Sequence, residues 1–436
     1  MKWLIYIIYQ LIFNVVCVPL LLLWPLYSLF NPRARVRWSE RFGLWGEVPS
    51  GAILLHGASL GEVRAIKPLA ESIGKSGNSI IVTSTSDTGI KEAQILSGAF
   101  GERGSARLLP LDFFWSVGSA LTSARPKAIV IGETELWPGL FFEAARRKIP
   151  TYIVSGRVSD LSYPGYRRLA PLFRAFLPLV ERIQCQSLRD MDRFVELGAA
   201  PSKTSVTGNL KFDVAPPGYE TPGGSLLKRL GEDGFKVIVA GSTRPTEERI
   251  VTSAFNLTSK EVEKAALIIV PRHLDRLDEA VKEVESGGRE VKLWSEIEGN
   301  YGVLKAAIES GQVVIVDEMF ILSGLYSGAD LAFVGGSLPP LGGHSLLEPL
   351  LVGVPVLFGP HMESQRFMRD EAIARGLGWE VSDANGLAKL AIGILTDEAL
   401  REGVKRSARK LFDENSGALE CALNLLREEG HLEGER

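Results

Sequence analysis

With 436 residues, 45% apolar and 23% charged, the chain has ordinary globular composition and length enough for two domains, each with its own core. A net charge of −3 offers no basic face for nucleic acid. Three scattered cysteines without CxxC spacing and five histidines without ligand spacing argue against a disulfide framework, zinc or iron–sulfur, so neither metal nor cofactor is expected.

Residues 1–30 depart from that composition. Lys2 is their one charge, Gln10 and Asn14 their two amide side chains, and about 20 apolar residues suffice to cross a bilayer. No small-residue cleavage site follows, so an uncleaved anchor is expected. It either crosses once or lies in the membrane surface, with Pro19 and Pro25 breaking the span. Arg33, Arg35, Arg37 and Arg41 come next, which by the positive-inside rule puts the catalytic body on the cytoplasmic side. Trp24, Tyr27 and Trp38 suit the interface.

Apolar strands then alternate with amphipathic stretches: 52–57, 79–85, 107–112, 128–133, 151–156 and 182–187. The rhythm is that of βαβ units, a parallel sheet covered on both faces. Prolines and glycines interrupt it over 207–224, and strands resume at 236–243, 266–273, 313–317, 331–337 and 354–359. The pattern predicts an α/β chain of two Rossmann-like, doubly wound domains. Residues 1–30 form the anchor, 31–212 the first domain, 213–230 a linker, 231–400 the second domain and 401–436 C-terminal helices. Polar motifs stand at strand C-terminal ends, where open α/β sheets bind ligands, so a shared crevice is expected.

The stretch FVGGSLPPLGGHSLLEPLLVGVPVLFGP, 333–360, reads as strand, glycine-rich turn, a helix starting near Ser345, and strand. Gly335, Gly336, Gly342 and Gly343 let backbone approach a ligand closely. Amides after Gly343 would favour an anion, and Glu348 is placed to accept from ribose hydroxyls. His344 either donates to a ligand oxygen or caps the turn. Arg272, between Pro271 and His273 at a strand end, suits a phosphate bidentately, and Arg157 in SGRVSD is its counterpart in the first domain. Glu62 in HGASLGE opens a helix, which by spacing alone reads as a structural charge at a helix start. Glu133 and Glu135 in GETELWPGL stand at a strand end, one of them facing the crevice or capping it, with Trp137 beneath.

The ordered series GASLGE, TSTSDTG, LPLDFFW, ETELWPGL, SGRVSDLSYPGY, TGNLKFD, AGSTRPTEE, IIVPRH and FVGGS…GGHSLLEP…GVPVLFGPH resembles the Kdo (3-deoxy-D-manno-octulosonic acid) transferases of lipopolysaccharide synthesis. These are inverting glycosyltransferases of the two-domain GT-B type, and the likeness runs over roughly residues 33–425. It implies transfer from CMP-Kdo to a lipid A precursor at the inner membrane, with Glu62 as base and Glu133 also needed. It implies nucleotide contacts from Pro271 and Arg272, from Met319, from Gly343, and from Ser345, Leu346, Leu347 and Glu348. Departures from the family pattern are Ser345–Leu346 for Asn-Pro, Phe320–Ile321 after Met319 for Gly-Glu, Arg244 for a common His, SGR for NAR at 155–157, and HMESQ for HTFNF at 361–365. They leave open a different nucleotide sugar, or a membrane-bound relative without turnover. A monophosphate leaving group carries less charge than a diphosphate, in keeping with a metal-free displacement.

Overall fold

The computed structural model describes residues 1–30, 37–213 and 221–432. Arg33, Arg35, the linker stretch 214–220, and the side chains of Trp24, Pro25 and Tyr27 lie outside the described residues. The chain divides into two compact units, Met1–Val214 with Asn415–Arg436, and Ala215–Glu414.

The first unit holds a parallel sheet of seven strands: β1 (Ile53–His56), β2 (Ile80–Ser84), β3 (Gly104–Leu108), β4 (Ala128–Gly132), β5 (Thr151–Gly156), β6 (Arg182–Cys185) and β7 (Thr204–Val206). Their order is β3-β2-β1-β4-β5-β6-β7. Period-two alternation sends Leu54, Ile129, Ile131 and Ile153 into one core. Ile53, Leu55, Val130 and Tyr152 enter the core on the other face. Both faces are therefore covered by helices, as near-continuous apolar strands require.

The second unit repeats the plan with β8 (Lys236–Thr243), β9 (Ala265–Pro271), β10 (Val291–Leu293), β11 (Val313–Ile315), β12 (Leu331–Val334), β13 (Val356–Phe358) and β14 (Gly378–Glu380). Its order is β10-β11-β9-β8-β12-β13-β14, again all parallel. The sequence reading misses β7, β10 and β14. Each is a three-residue strand at or near a sheet edge, too short and too exposed to show an apolar run. It also sets the third strand late: pairing with β2 runs over Gly104–Leu108 and stops before Pro110, which has no amide to donate.

Two expected boundaries are corrected. The helix Pro222–Glu232 buries Leu227 and Leu230 in the second unit, so the second half of the expected linker is folded. The expected C-terminal segment is shared, because Glu398–Asn415 runs along the second unit whereas Ala418–Glu428 returns to the first. There Ala418, Ala422, Leu425 and Leu426 pack with Leu69, Ile73 and Tyr152. Asp213 accepts from the Gly417 and Leu419 amides at 2.5 and 2.9 Å, which fixes the start of that helix.

The N-terminal helix Lys2–Phe30 contains the window Lys2–Pro19 of mean hydropathy 1.5, long and apolar enough to cross a membrane. Its first half is nevertheless keyed to the first unit. Tyr6 donates to Glu143 (3.2 Å), Tyr9 to Asp112 (2.8 Å) and Gln10 to the Asp112 carbonyl (2.8 Å).

Candidate active site

In each sheet the strand order reverses once, between β1 and β4 in the first and between β8 and β12 in the second. Chains leaving the two strands there diverge to opposite faces and open a crevice at their carboxyl ends. Both crevices hold clustered ionisable groups, of opposite sign.

In the first unit, β1 ends at His56 and the turn Gly57–Ser59 enters the helix Leu60–Lys75. Ser59 Oγ accepts from the Glu62 amide at 3.3 Å, and Glu62 Oε2 accepts from the Ala58 and Ser59 amides at 2.6 and 3.4 Å. This capping box gives Glu62 the structural task that spacing alone suggested. Its carboxylate is also half-buried at the reversal point. Burial first, then the charge of Glu133, raises its pKa, against the pull of the Ala58 amide. A carboxylate tuned upward this way is a stronger proton acceptor.

Glu133 follows β4 with a left-handed φ of 58°, a conformation costing a non-glycine residue roughly 1–2 kcal/mol. Its amide donates to the Val154 carbonyl at 3.0 Å, and its buried carboxylate pairs with Lys211. Glu135 accepts from Trp137 Nε1 at 2.6 Å and lies 3.7 Å from His56 Nε2. Burial pushes the Glu135 carboxyl up, but His56 and Trp137 more than offset it, and its pKa is lowered. Trp137 stands partly exposed beside the carboxylate rather than beneath it. His56 is fully buried, its Nδ1 2.9 Å from Thr83 Oγ1. Arg157 is half-buried, and among the described residues its guanidinium has no hydrogen bond or ion pair; its carbonyl accepts from Thr134 Oγ1.

In the second unit three turns converge on cations: Arg244 after β8, Arg272 and His273 after β9, and His344 in the glycine turn after β12. Burial, then Arg272, Arg244 and His273, hold the His344 imidazole down at about 4, so it is neutral at physiological pH. His273 is likewise lowered by burial and by Arg244 and Arg272. Among the described residues, Arg244 Nε and His344 Nε2 are buried with no hydrogen-bond partner. The Arg244 Nε–H left buried without an acceptor is costly, and an anion would satisfy it, joined by His344 Nε2 in the tautomer that carries its proton there.

The glycine turn is built differently from expectation. Its helix is only Leu347–Leu351, and the Gly343 and His344 amides donate to the Gly336 and Gly335 carbonyls at 2.8 and 3.2 Å. The fully buried Glu247 takes the amides of Gly336, Ser337 and Leu338 at 2.7, 3.1 and 3.0 Å, and that of Arg244 at 2.9 Å. The chain's own carboxylate therefore fills the amide nest, and the anion-seeking groups are side chains instead. Gly336 has φ 67°, and a Cβ there would lie 2.9 Å from His344 Cδ2. Leu346 is fully buried, so its side chain serves the core; Ser345, Leu347 and Glu348 are half-buried. Ser345 Oγ accepts from the Leu347 amide at 3.3 Å. Met319 and Phe320 are exposed, Phe320 with φ 70°.

The model of the family described as 3-deoxy-D-manno-octulosonic-acid transferase (kdotransferase) matches residues 36–214. A 3-deoxy-D-manno-octulosonic acid transferase of Bordetella pertussis is 31% identical over 92% of this chain and 92% of its own. The chain belongs to the Kdo transferase family. It is accordingly a glycosyltransferase. A bifunctional glycosyltransferase/methyltransferase of Fusobacterium nucleatum is 32% identical over 86% of this chain, which spans 57% of that protein's length. Among solved structures, Anabaena Alr3699/HepE in complex with UDP aligns with TM-score 0.54 and 14% identity over 87% of this chain and all of that one, a likeness of GT-B fold alone.

Within this Kdo transferase, sequence reasoning singled out Arg272 and His344 but treated Arg244 only as a departure and overlooked Glu247, His56 and Lys211. Arg244 had a signal, a cation in a turn directly after a buried strand. Glu247 had none, because a helix-start glutamate ordinarily faces water.

Proposed function

We propose that this chain transfers Kdo from CMP-Kdo to a hydroxyl of a lipid A precursor with inversion at the anomeric carbon. The observation that carries the reading is the pair of buried side-chain nitrogens without a hydrogen-bond partner among the described residues, Arg244 Nε and that of the neutral His344 imidazole, Nε2. It suits a phosphate, and family membership makes the CMP phosphate its natural occupant. Glu62 takes the proton from the acceptor hydroxyl as that oxygen bonds to the anomeric carbon. The bond from that carbon to the CMP phosphate oxygen breaks, and Arg244 and Arg272 stabilise the charge arriving on the phosphate. Glu133 keeps Glu62 basic by repulsion and is itself held by Lys211. Glu348 takes the ribose hydroxyls, with Pro271, Met319 and the turn around Gly343 and Ser345 completing the nucleotide pocket, and Arg157 serves the acceptor side. The apolar N-terminal helix attaches the enzyme to the inner membrane, with the body in the cytoplasm near its lipid substrate.

Mass spectrometry of the lipid formed from CMP-Kdo and tetraacylated precursor tests this reading. A Kdo-bearing product is expected, and its absence with active donor overturns the substrate assignment. Phe320 favours a second reading. It keeps a left-handed backbone, φ 70°, at a position where the family pattern has glycine, and it presents an exposed ring. A donor base other than cytosine would then fit the altered loop. Thermal-shift measurements with CMP, UDP and GDP separate the two, with the largest rise expected for CMP.

A further inference from the structure

The N-terminal helix turns a continuous apolar stripe outward. Leu4, Ile8, Leu11, Val15 and Leu22 recur every three, four or seven positions and are all exposed. The opposite side is fixed to the body through Tyr6, Tyr9 and Gln10. Helix Ala170–Phe176 packs against it, and Phe173 and Phe176 share a core with Tyr6. Immediately before that helix lies Leu161–Leu169, whose Leu161 is 93% exposed and Leu169 56% exposed. Between these two leucines, Arg167 and Arg168 point to solvent, and among the described residues neither has a hydrogen bond or ion pair. With Tyr163 and Pro164 they line a shallow cavity of 320 Å³. Neighbouring carboxylates are engaged elsewhere: Glu196 by Tyr163, Asp160 by Arg189 and Arg193.

Apolar tips flanking an unpaired arginine couple, next in sequence to a helix that packs on the apolar N-terminal helix, match a bilayer surface. The leucines suit the acyl boundary, and the guanidinium groups suit phosphates at headgroup depth. We propose that Leu161–Leu169 is a headgroup-reading surface that binds the phosphates of anionic phospholipid beside the N-terminal helix. The inference rests on membrane attachment through that helix and adds to it a lipid preference and a fixed orientation.

Flotation of the full chain with phosphatidylcholine vesicles, with or without phosphatidylglycerol, tests it. Wild type is expected to bind both and to favour the anionic vesicles on the order of tenfold at low salt. Arg167→Gln/Arg168→Gln should keep binding to phosphatidylcholine but lose that preference, whereas the double lysine variant should retain it. If the glutamine variant still prefers anionic vesicles, or wild type binds both equally, the headgroup assignment is overturned. If wild type binds neither vesicle, it is the attachment reading that fails.

Discussion

The two order-reversal points of this molecule share a backbone plan and differ in how their charges are satisfied. In the first unit each carboxylate already has company: Glu62 its turn amides, Glu133 Lys211, Glu135 His56 and Trp137. In the second, Arg244 and His344 keep buried nitrogen atoms without hydrogen-bond partners among the described residues, while of the two buried carboxylates nearby Glu247 is engaged by backbone and Glu248 by Thr243 and Arg276. A crevice whose carboxylates are each held by a neighbouring cation, amide or indole suits proton transfer, because those carboxylates stay in place as a proton moves. A crevice left short of acceptors suits holding an anion. On the proposed function, the first unit carries the chemistry and the second holds the donor.

The contrast breaks first at Glu62. Glu62→Gln keeps an oxygen for the capping box, so folding should survive while turnover falls by about 10²–10⁴-fold and CMP affinity stays put. Near-normal turnover with intact CMP binding, by calorimetry and product assay, would remove the base from the mechanism. Arg244→Ala should weaken CMP binding by roughly tenfold to a hundredfold, the range of a charge-assisted hydrogen bond, with little loss of thermal stability. Unchanged CMP affinity would show that the orphaned nitrogen marks no phosphate.

A finer test uses pH. If Glu62 is the proposed base it acts deprotonated, and since its pKa is raised the acid limb of kcat/KM should lie above the ordinary carboxylate range. Glu133→Gln should move that limb downward, and an unmoved limb would mean the Glu133 charge does not reach Glu62. The stability sign differs for His344, whose folded-state pKa falls from 6.5 to about 4. Its neutral form is favoured by folding, so stability is full above 6.5 and lost as pH falls toward about 4. Denaturation of His344→Ala should show a shallower loss across that window. Smallest is Asp213→Ala, which should cost about 1–2 kcal/mol by uncapping the C-terminal helix, seen as a few degrees of melting temperature.

The sheets were legible because buried parallel strands are uniformly apolar, and 53–56 and 128–132 admit little else. Edge strands such as Val291–Leu293 were not, being half-exposed and short. Arg272 and His344 could be found because they follow strand ends within glycine or proline turns. Arg244 was visible but read against a family pattern instead of its own position. Glu247 was hidden, since nothing in the sequence tells that amides from residues about ninety positions later converge on it. The pairing of the Gly343 and His344 amides with the Gly336 and Gly335 carbonyls was hidden for the same reason: long-range pairing decides which donors remain.

The return of Ala418–Glu428 to the first unit has a consequence for synthesis. The helix that completes one side of that unit's core is translated only after the whole of Ala215–Glu414. The inserted unit can finish folding on the ribosome while the first waits with Leu69, Ile73 and Tyr152 uncovered. Chains stopped before residue 415 would therefore carry a complete second unit and an unfinished, aggregation-prone first one.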